Sequence, residues 1–207
     1  ATASGLTYTG TGTLTLSGNN TYDGLTKLNS ATGTLTLSGN NSTATGGVTL
    51  TTGILNINNA NALGTGTLTI SAGTIDNTTS GSITNAGNNA ITLGGSFTFG
   101  GTQDLNLGTG AITNAGSRTI TLNGTARTLT LGGTMTNGVA GVQTTTVNGA
   151  GNTLVLGGYA LSNSATSRID VITGSGNVTI TGVVANGGTA TASGLTYTGT
   201  GTLTLSG

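Results

Sequence analysis

The chain has 207 residues, of which 40 are glycine and only 4% are charged, and its net charge is zero. With four positive side chains it has no basic face to neutralise phosphates, which argues against a nucleic-acid partner. No apolar run approaches the ~20 residues that span a bilayer, so membrane insertion of this segment is not expected. Histidine and cysteine are absent, which excludes Ser-His-Asp and Cys-His catalytic sites and thiolate metal ligands.

Short alternations of apolar and polar residues recur along the whole chain. Residues 12–20 read GTLTLSGNN and return unchanged at residues 33–41. Alternation at period two predicts half-buried strands, here closed by Gly or Asn turns. The side chains predicted to point inward and form the core are Leu14, Leu16, Leu35, Leu37, Leu55, Leu68 and Ile70. Those predicted to point outward, as a threonine ladder, are Thr13, Thr15, Thr34, Thr36, Thr67 and Thr69.

The longest repeated segment occurs at both ends of the sequence. Residues 1–18 and 190–207 are identical letter for letter. We therefore interpret residues 1–189 as one repeat unit and residues 190–207 as the start of the next tandem unit. Shorter repeats inside the unit begin at residues 12 and 33, and at residues 84 and 113. Such spacings, of about 20–30 residues, are typical of solenoid coils.

These repeats predict an all-β protein with parallel, stacked strands. The predicted fold is a parallel β-helix, or β-solenoid, with roughly seven to nine coils in residues 1–189. Leu14, Leu35 and Leu55 are then expected to stack in one interior file. The asparagine pairs at 19–20 and 40–41 are expected to meet at one corner, where amide side chains can hydrogen-bond in a ladder.

Residues 33–75 resemble the autotransporter-associated β-strand repeat, or passenger-associated transport repeat, of bacterial surface proteins. The matching residues are Gly33, Leu35, Leu37, Ser38, Gly39, Asn41, Gly46, Gly47, Gly53, Leu55, Ala62, Leu63, Gly64, Gly66 and Leu68. A shorter copy runs from Gly12 to Gly24, after which Leu25 stands where a second glycine is usual. The resemblance implies a right-handed β-helix in a secreted, passenger-like protein, and it carries over no catalytic residues.

The side chains that could carry chemistry are few. A catalytic pair among Asp23, Asp76, Asp104 and Asp170 would need stacking to bring two of them together, and the simpler interpretation places each at a solvated turn or surface. Arg168 and Asp170 are interpreted as a surface ion pair. No metal or cofactor is expected.

We therefore expect a structural repeat of an extracellular fibre, stalk or surface-layer protein at the bacterial cell surface, without catalysis. Its expected partner is itself, through tandem or end-to-end stacking, with surface glycans or other cells as further partners. The alternative is an adhesin or ice-binding passenger domain that uses the outward threonines, although threonine is also a favoured residue at outward strand positions. A carbohydrate-active β-helix enzyme ranks last, because cleavage of polysaccharides needs a cleft of acids and bases.

Overall fold

The computed structural model describes residues 3–190 and 192–207, and their regular structure consists of strands. Positions 1, 2 and 191, which belong to the identical end segments, lie outside the described residues. The strands are β1 (Leu6–Tyr8), β2 (Thr13–Leu16), β3 (Thr26–Leu37), β4 (Val48–Ile57), β5 (Leu68–Ile70), β6 (Thr74–Asp76), β7 (Ile83–Thr84), β8 (Ile91–Leu93), β9 (Phe97–Phe99), β10 (Leu105–Asn106), β11 (Ile112–Asn114), β12 (Arg118–Leu122), β13 (Thr128–Asn137), β14 (Thr144–Asn148), β15 (Thr153–Ala160), β16 (Ile169–Thr173), β17 (Asn177–Ile180), β18 (Val184–Ala185), β19 (Gly194–Tyr197) and β20 (Leu203–Leu205).

The strands pair in parallel, and they form three ladders that the chain visits in turn. The first ladder is β1, β3, β4, β5, β8, β11, β13, β15 and β18. The second is β2, β3, β4, β6, β9, β12, β14, β16 and β19. The third is β7, β10, β13, β15, β17 and β20. The predicted all-β solenoid is thus confirmed, with about 9 turns.

The core is a set of inward files, one aliphatic or aromatic side chain above the next. On the second ladder Leu14, Leu35 and Leu55 occupy adjacent strands in register, and Ile75 and Phe99 continue the file. From Leu35 onward these side chains are 0% exposed. Each turn buries its apolar face only against its neighbours, so stability is mainly a sum of nearest-neighbour contacts of about 2 kcal/mol per buried leucine.

Glycine makes the tight corner between the first and second ladders. Gly53 and Gly73 stand at this corner in successive turns, with φ of 107° and 87°. A Cβ on Gly73 would lie 2.5 Å from the carbonyl oxygen of Gly53. Between β5 and β6 the corner comprises only residues 71–73, but it lengthens to residues 138–143 and 161–168 in late turns. The late turns are therefore longer than the earlier ones, and most of residues 138–142 and 163–168 are exposed.

Candidate functional site

The two copies of the repeated sequence form the outermost rungs at opposite ends of the solenoid. We call β1 and β2 the lower rung, and β19 and β20 the upper rung. Within the part of the chain that the structure describes, the lower rung pairs only with β3, and the upper rung pairs only with β16 and β17. Each copy thus has one backbone edge bonded and the other edge facing off the end.

The lower rung uses alternate residues to bond the next turn. Thr34 N donates to Gly12 O at 2.9 Å. Ser38 N donates to Leu16 O at 3.0 Å. Because alternate residues of a parallel strand direct their backbone groups to the same neighbour, the N–H and C=O of the intervening Thr15 point away from β3. The free edge of the lower rung is therefore the edge of its threonines.

The upper rung has the opposite edge bonded. Val178 N donates to Thr202 O at 2.8 Å. Ser206 N donates to Ile180 O at 3.0 Å. The backbone groups of Leu205, one position before Ser206, therefore point off the end of the solenoid. No strand among the described residues packs above it, and the Leu205 side chain is 57% exposed.

The two rungs are complementary because they are the same sequence with opposite edges in use. Leu16 bonds the turn above it in the lower rung, while its equivalent Leu205 has that edge free. Thr204, the equivalent of Thr15, lies in register with Thr179 of the turn below. One copy shows what the segment binds on its upper edge, and the other shows what it binds on its lower edge.

A second candidate is a buried polar cluster where the corner lengthens. Arg118 Nε donates to Asn114 Oδ1 at 2.6 Å, and Asn114 Nδ2 donates to Asn137 Oδ1 at 2.6 Å. Asn137 Nδ2 donates in turn to Asp170 Oδ2 at 2.7 Å and to the Tyr159 hydroxyl at 3.0 Å. Apart from Arg118, which is 8% exposed, these side chains are 0% exposed. The cluster links neighbouring turns through the interior.

Burial governs the electrostatics of this cluster. Desolvation lowers the pKa of Arg118. Desolvation also raises the pKa of Tyr159; hydrogen bonds with Thr145 and Asn137 oppose that rise, and the nearby charge of Asp170 adds to it. Because these polar groups are buried, they bond one another, and these bonds link neighbouring turns through the interior.

Two of the four aspartates are buried, although the sequence interpretation placed each of them at a solvated turn or surface. Asp170 is completely buried, and besides Asn137 its carboxylate accepts Gln143 N at 3.0 Å and Ser162 N at 2.8 Å. The expected surface ion pair with Arg168 is wrong, since Arg168 is exposed while Asp170 faces inward. Backbone N–H donors replace water around the carboxylate, which is why it can be buried.

Asp76 is also buried rather than solvated, at 7% exposure, and accepts Thr102 N at 3.1 Å and Thr102 Oγ1 at 2.6 Å. Asp23 is exposed and accepts Thr45 Oγ1 at 3.1 Å, and Asp104 is half-buried and accepts Thr128 N at 3.0 Å. The four aspartates therefore each anchor a turn or a strand start in a different part of the solenoid.

Asn114 and Asn137 were missed by sequence reasoning, although a signal existed. On the first ladder they continue the inward file that contains Ile70 and Leu93 in earlier turns. An asparagine thus stands where the alternation calls for an aliphatic residue. Such a break in two successive turns points to an interior polar contact.

The predicted core residues can now be placed. Leu35, Leu37, Leu55, Leu68 and Ile70 are buried, while Leu14 and Leu16 are half-buried because the lower rung is packed on one side only.

The six predicted outward threonines do not form a single file. On the second ladder Thr13 pairs with Thr34, and Thr15 pairs with Thr36. Thr69 lies on the first ladder, and Thr67 comes just before β5 of that ladder. A continuous outward file does occur there, formed by Thr49, Thr69, Thr92, Thr113 and Thr136.

Asparagine side chains bridge turns at the corner expected from the sequence. Asn41 Oδ1 accepts Asn20 N at 3.0 Å and Asn20 Nδ2 at 3.1 Å, and Asn41 Nδ2 donates to Ala62 O at 2.8 Å. Asn40 N donates to Asn19 Oδ1 at 3.2 Å. These bonds tie the lower rung to the two turns above it.

The outer surface of the second ladder carries a shallow groove of about 260 Å³, lined mostly by hydroxyl side chains. Its lining residues are Gly73, Thr74, Ser96, Phe97, Thr98, Thr119 and Thr121. Among the described residues, no group of three His, Cys, Asp or Glu side chains could hold a metal ion. Nor is there, within residues 3–190 and 192–207, a helix long and apolar enough to cross a membrane.

Comparison with known proteins gives no family assignment. No protein-family model, no curated protein and no solved structure matches this chain. The solenoid fold and the paired outer rungs are therefore the observations from which a function can be inferred.

Proposed function

We propose that the chain is a structural segment of a bacterial extracellular fibre, stalk or surface layer, whose repeat units stack end to end into one continuous β-solenoid. The observation that carries the proposal is the use of one sequence, at residues 3–18 and again at residues 192–207, for both outer rungs, with opposite backbone edges bonded. A segment that binds on both edges is suited to join one unit to the next.

When two units are joined in one chain, the upper rung of the first unit is also the first rung of the following unit, and we call it the shared rung. All of its backbone N–H and C=O groups are then hydrogen-bonded. Its lower edge binds the preceding unit as the upper rung binds β17, and its upper edge binds the following unit as the lower rung binds β3. No group is used twice, because the two edges consist of alternate residues. An open edge, in contrast, leaves a row of unpaired N–H and C=O groups that attracts other chains.

Apolar burial favours the same contact. Leu205 is 57% exposed in the upper rung. Its equivalent in the lower rung, Leu16, lies in register with Leu37 of the next turn, and Leu37 is 2% exposed. Covering Leu205 with the next turn would contribute about 1 kcal/mol, and each new backbone hydrogen bond about 0.5–1.5 kcal/mol. Several such terms act together at one junction.

The wider context supports a surface structure rather than an enzyme. Residues 33–75 resemble the passenger-associated repeat of secreted bacterial proteins, and the buried carboxylates bond the backbone and side chains of the solenoid itself. An extended, weakly charged rod is suited to spacing or covering. The faces of such a rod remain available to glycans or to other cells.

The test is a polypeptide of three units, residues 1–189 three times, followed by residues 190–207. Electron microscopy is expected to show a single straight rod of about 120 Å, with oriented samples giving a reflection near about 4.8 Å along the rod axis. Three separate particles joined by flexible links, or strands parallel to the rod axis, would overturn the proposal.

A second candidate function is suggested by the outward file on the first ladder. Thr49, Thr69, Thr92, Thr113 and Thr136 follow one another in five successive turns. They form a straight row of hydroxyl and methyl groups at about 4.8 Å spacing. Such a row suits an ice-binding or adhesive surface, but β5, β8 and β11 each offer one threonine rather than a pair. Loss of ice-recrystallisation inhibition in Thr92→Lys, with Thr7→Lys as control, would favour this candidate.

A further inference from the structure

The two rungs formed by the repeated sequence do not lie on the same ladders. In the lower rung, Leu6–Tyr8 belongs to the first ladder and Thr13–Leu16 to the second. In the upper rung, Gly194–Tyr197 belongs to the second ladder and Leu203–Leu205 to the third. The second copy is therefore displaced by one side of the solenoid relative to the first.

The displacement follows from the number of turns in a unit. Along the first ladder, eight steps from strand to strand lead from Leu6 in β1 to Val184 in β18. From Val184 the chain passes on to the second ladder before it reaches Leu195, the equivalent of Leu6. The unit of residues 1–189 thus contains eight turns and one third.

We propose that successive units are joined with a rotation of one third of a turn, so that each ladder of one unit continues as the next ladder in the following unit. This inference rests on the proposed end-to-end stacking and specifies the docking partner of the upper rung, which is the segment equivalent to residues 19–37 of a second copy. Thr196 is then in register with Lys27 of the following unit on the strand above it, just as Thr7 is in register with Lys27 in this structure.

The upper rung already has the backbone geometry that this junction needs. Gly194 N donates to Arg168 O at 2.8 Å, and Thr198 N donates to Ile172 O at 3.0 Å. The copy is therefore built onto the second ladder with ordinary hydrogen bonds, and the edge that binds β3 in the lower rung is the edge left free. A junction without rotation would have to detach these strands from β16.

Rotation has a consequence for the surface of the array. Three units contain about 25 turns, so the pattern of faces returns to its starting orientation after about 120 Å, apart from any gradual twist of the ladders. The threonine file of the first ladder and the hydroxyl groove of the second are thereby presented in three directions. In a rod built this way, each of these surfaces occurs on all three sides, one side in each successive unit.

The junction can be tested in a two-unit chain, residues 1–189 followed by residues 1–207, that carries pairs of introduced cysteines. The thiol cross-linker spans about 10 Å, which is the distance between a strand and the second strand above it on the same ladder. Val171 lies one rung below Thr196 on the second ladder, so Val171→Cys is expected to cross-link to Lys27→Cys of the following unit. Ala185→Cys, on the first ladder, is expected to give no cross-link with it. Thr113→Cys with Ala160→Cys, which both flank Thr136, is the positive control.

Electron microscopy of the same chain separates the two ideas. A rod of about 80 Å with the Val171 cross-link supports both. A rod with the Ala185 cross-link, or with neither, overturns the rotation but leaves stacking intact. Two separate particles overturn the stacking itself, and the rotation with it.

Discussion

Removal of the buried Asp170 carboxylate is expected to destabilise the late turns strongly. Its two oxygens accept Gln143 N at 3.0 Å, Ser162 N at 2.8 Å and Asn137 Nδ2 at 2.7 Å, and the side chain is 0% exposed. Asp170→Ala leaves three buried donors without a partner, at about 1–3 kcal/mol each. Loss of the buried charge recovers part of its desolvation cost, so the expected net loss is about 2–5 kcal/mol.

A matched series makes this expectation specific. Asp170→Asn keeps the shape and one oxygen. With that oxygen at the Oδ2 position, which accepts two donors, only Gln143 N faces the NH₂ group, and the expected loss is about 1–3 kcal/mol. Asp23→Ala is the control for removal of a carboxylate, because Asp23 is exposed, and it should change stability by no more than about 0.5 kcal/mol. The predicted order of loss is Asp170→Ala, then Asp170→Asn, then Asp23→Ala.

The assay combines urea unfolding, followed by far-UV circular dichroism, with native-state hydrogen exchange. In a solenoid the loss is expected to be local, so the amides of Gln143 and Ser162 should exchange faster in Asp170→Ala while amides near Leu50 stay protected. Equal stability of Asp170→Ala and Asp23→Ala would refute the reasoning. So would unchanged exchange at Gln143 and Ser162.

Three further outcomes are expected. Leu50→Ala should lower the free energy of unfolding in urea by about 2–5 kcal/mol, because the side chain is buried. Thr49 points outward, so Thr49→Ala should lower it by less than about 0.5 kcal/mol. Equal losses would contradict the assigned orientation of the two side chains. Because burial raises the pKa of Tyr159, the stability it contributes is fully present below its unfolded pKa of about 10 and is lost as the pH rises through the folded value. Above about pH 9 the free energy of unfolding should therefore fall more steeply with pH than it does in Tyr159→Phe, and equal slopes would contradict this expectation. Leu205→Pro removes an N–H at the free edge of the upper rung, so it should abolish the end-to-end association of chains that sedimentation detects at high concentration. Leu205→Ala keeps this N–H and should associate more strongly than Leu205→Pro. Equal association of the two variants would argue against edge pairing.

The alternation of residue types was enough to predict the fold, because strand facing depends only on period two. Leu35 and Ile70 are buried as a result, and Thr36 and Thr69 face outward. The ladder to which a strand belongs could not be predicted in this way. Residues 13–16 and 67–70 read almost alike, yet Thr15 lies on the second ladder and Thr69 on the first. Ladder membership depends on corner length, which the strand motif does not encode.

Interior polar contacts were also beyond the reach of the repeat pattern. Asp170 follows an exposed isoleucine in a segment that looks like a surface strand, and its burial depends on donors from two other segments, at Gln143 and Ser162. Asn137 bridges the turns below and above it through one amide group. Contacts of this kind are set by which turns become neighbours, so they can be identified only when the stacking register is known.

The same lengthening of the late turns accounts for both the buried cluster and the phase of the junction. If every turn were as long as the one from Leu14 to Leu35, nine whole turns would fill residues 1–189, and each unit would begin on the ladder where the last one began. The turn from Met135 to Tyr159 is instead longer, and the turn from Tyr159 to Val184 is longer still. The added residues lie in the two long corners that supply Gln143 and Ser162, whose backbone N–H groups donate to the buried Asp170 carboxylate. Longer turns, these two among them, thus leave the unit two thirds of a turn short of nine, and that deficit moves the next copy to the neighbouring ladder.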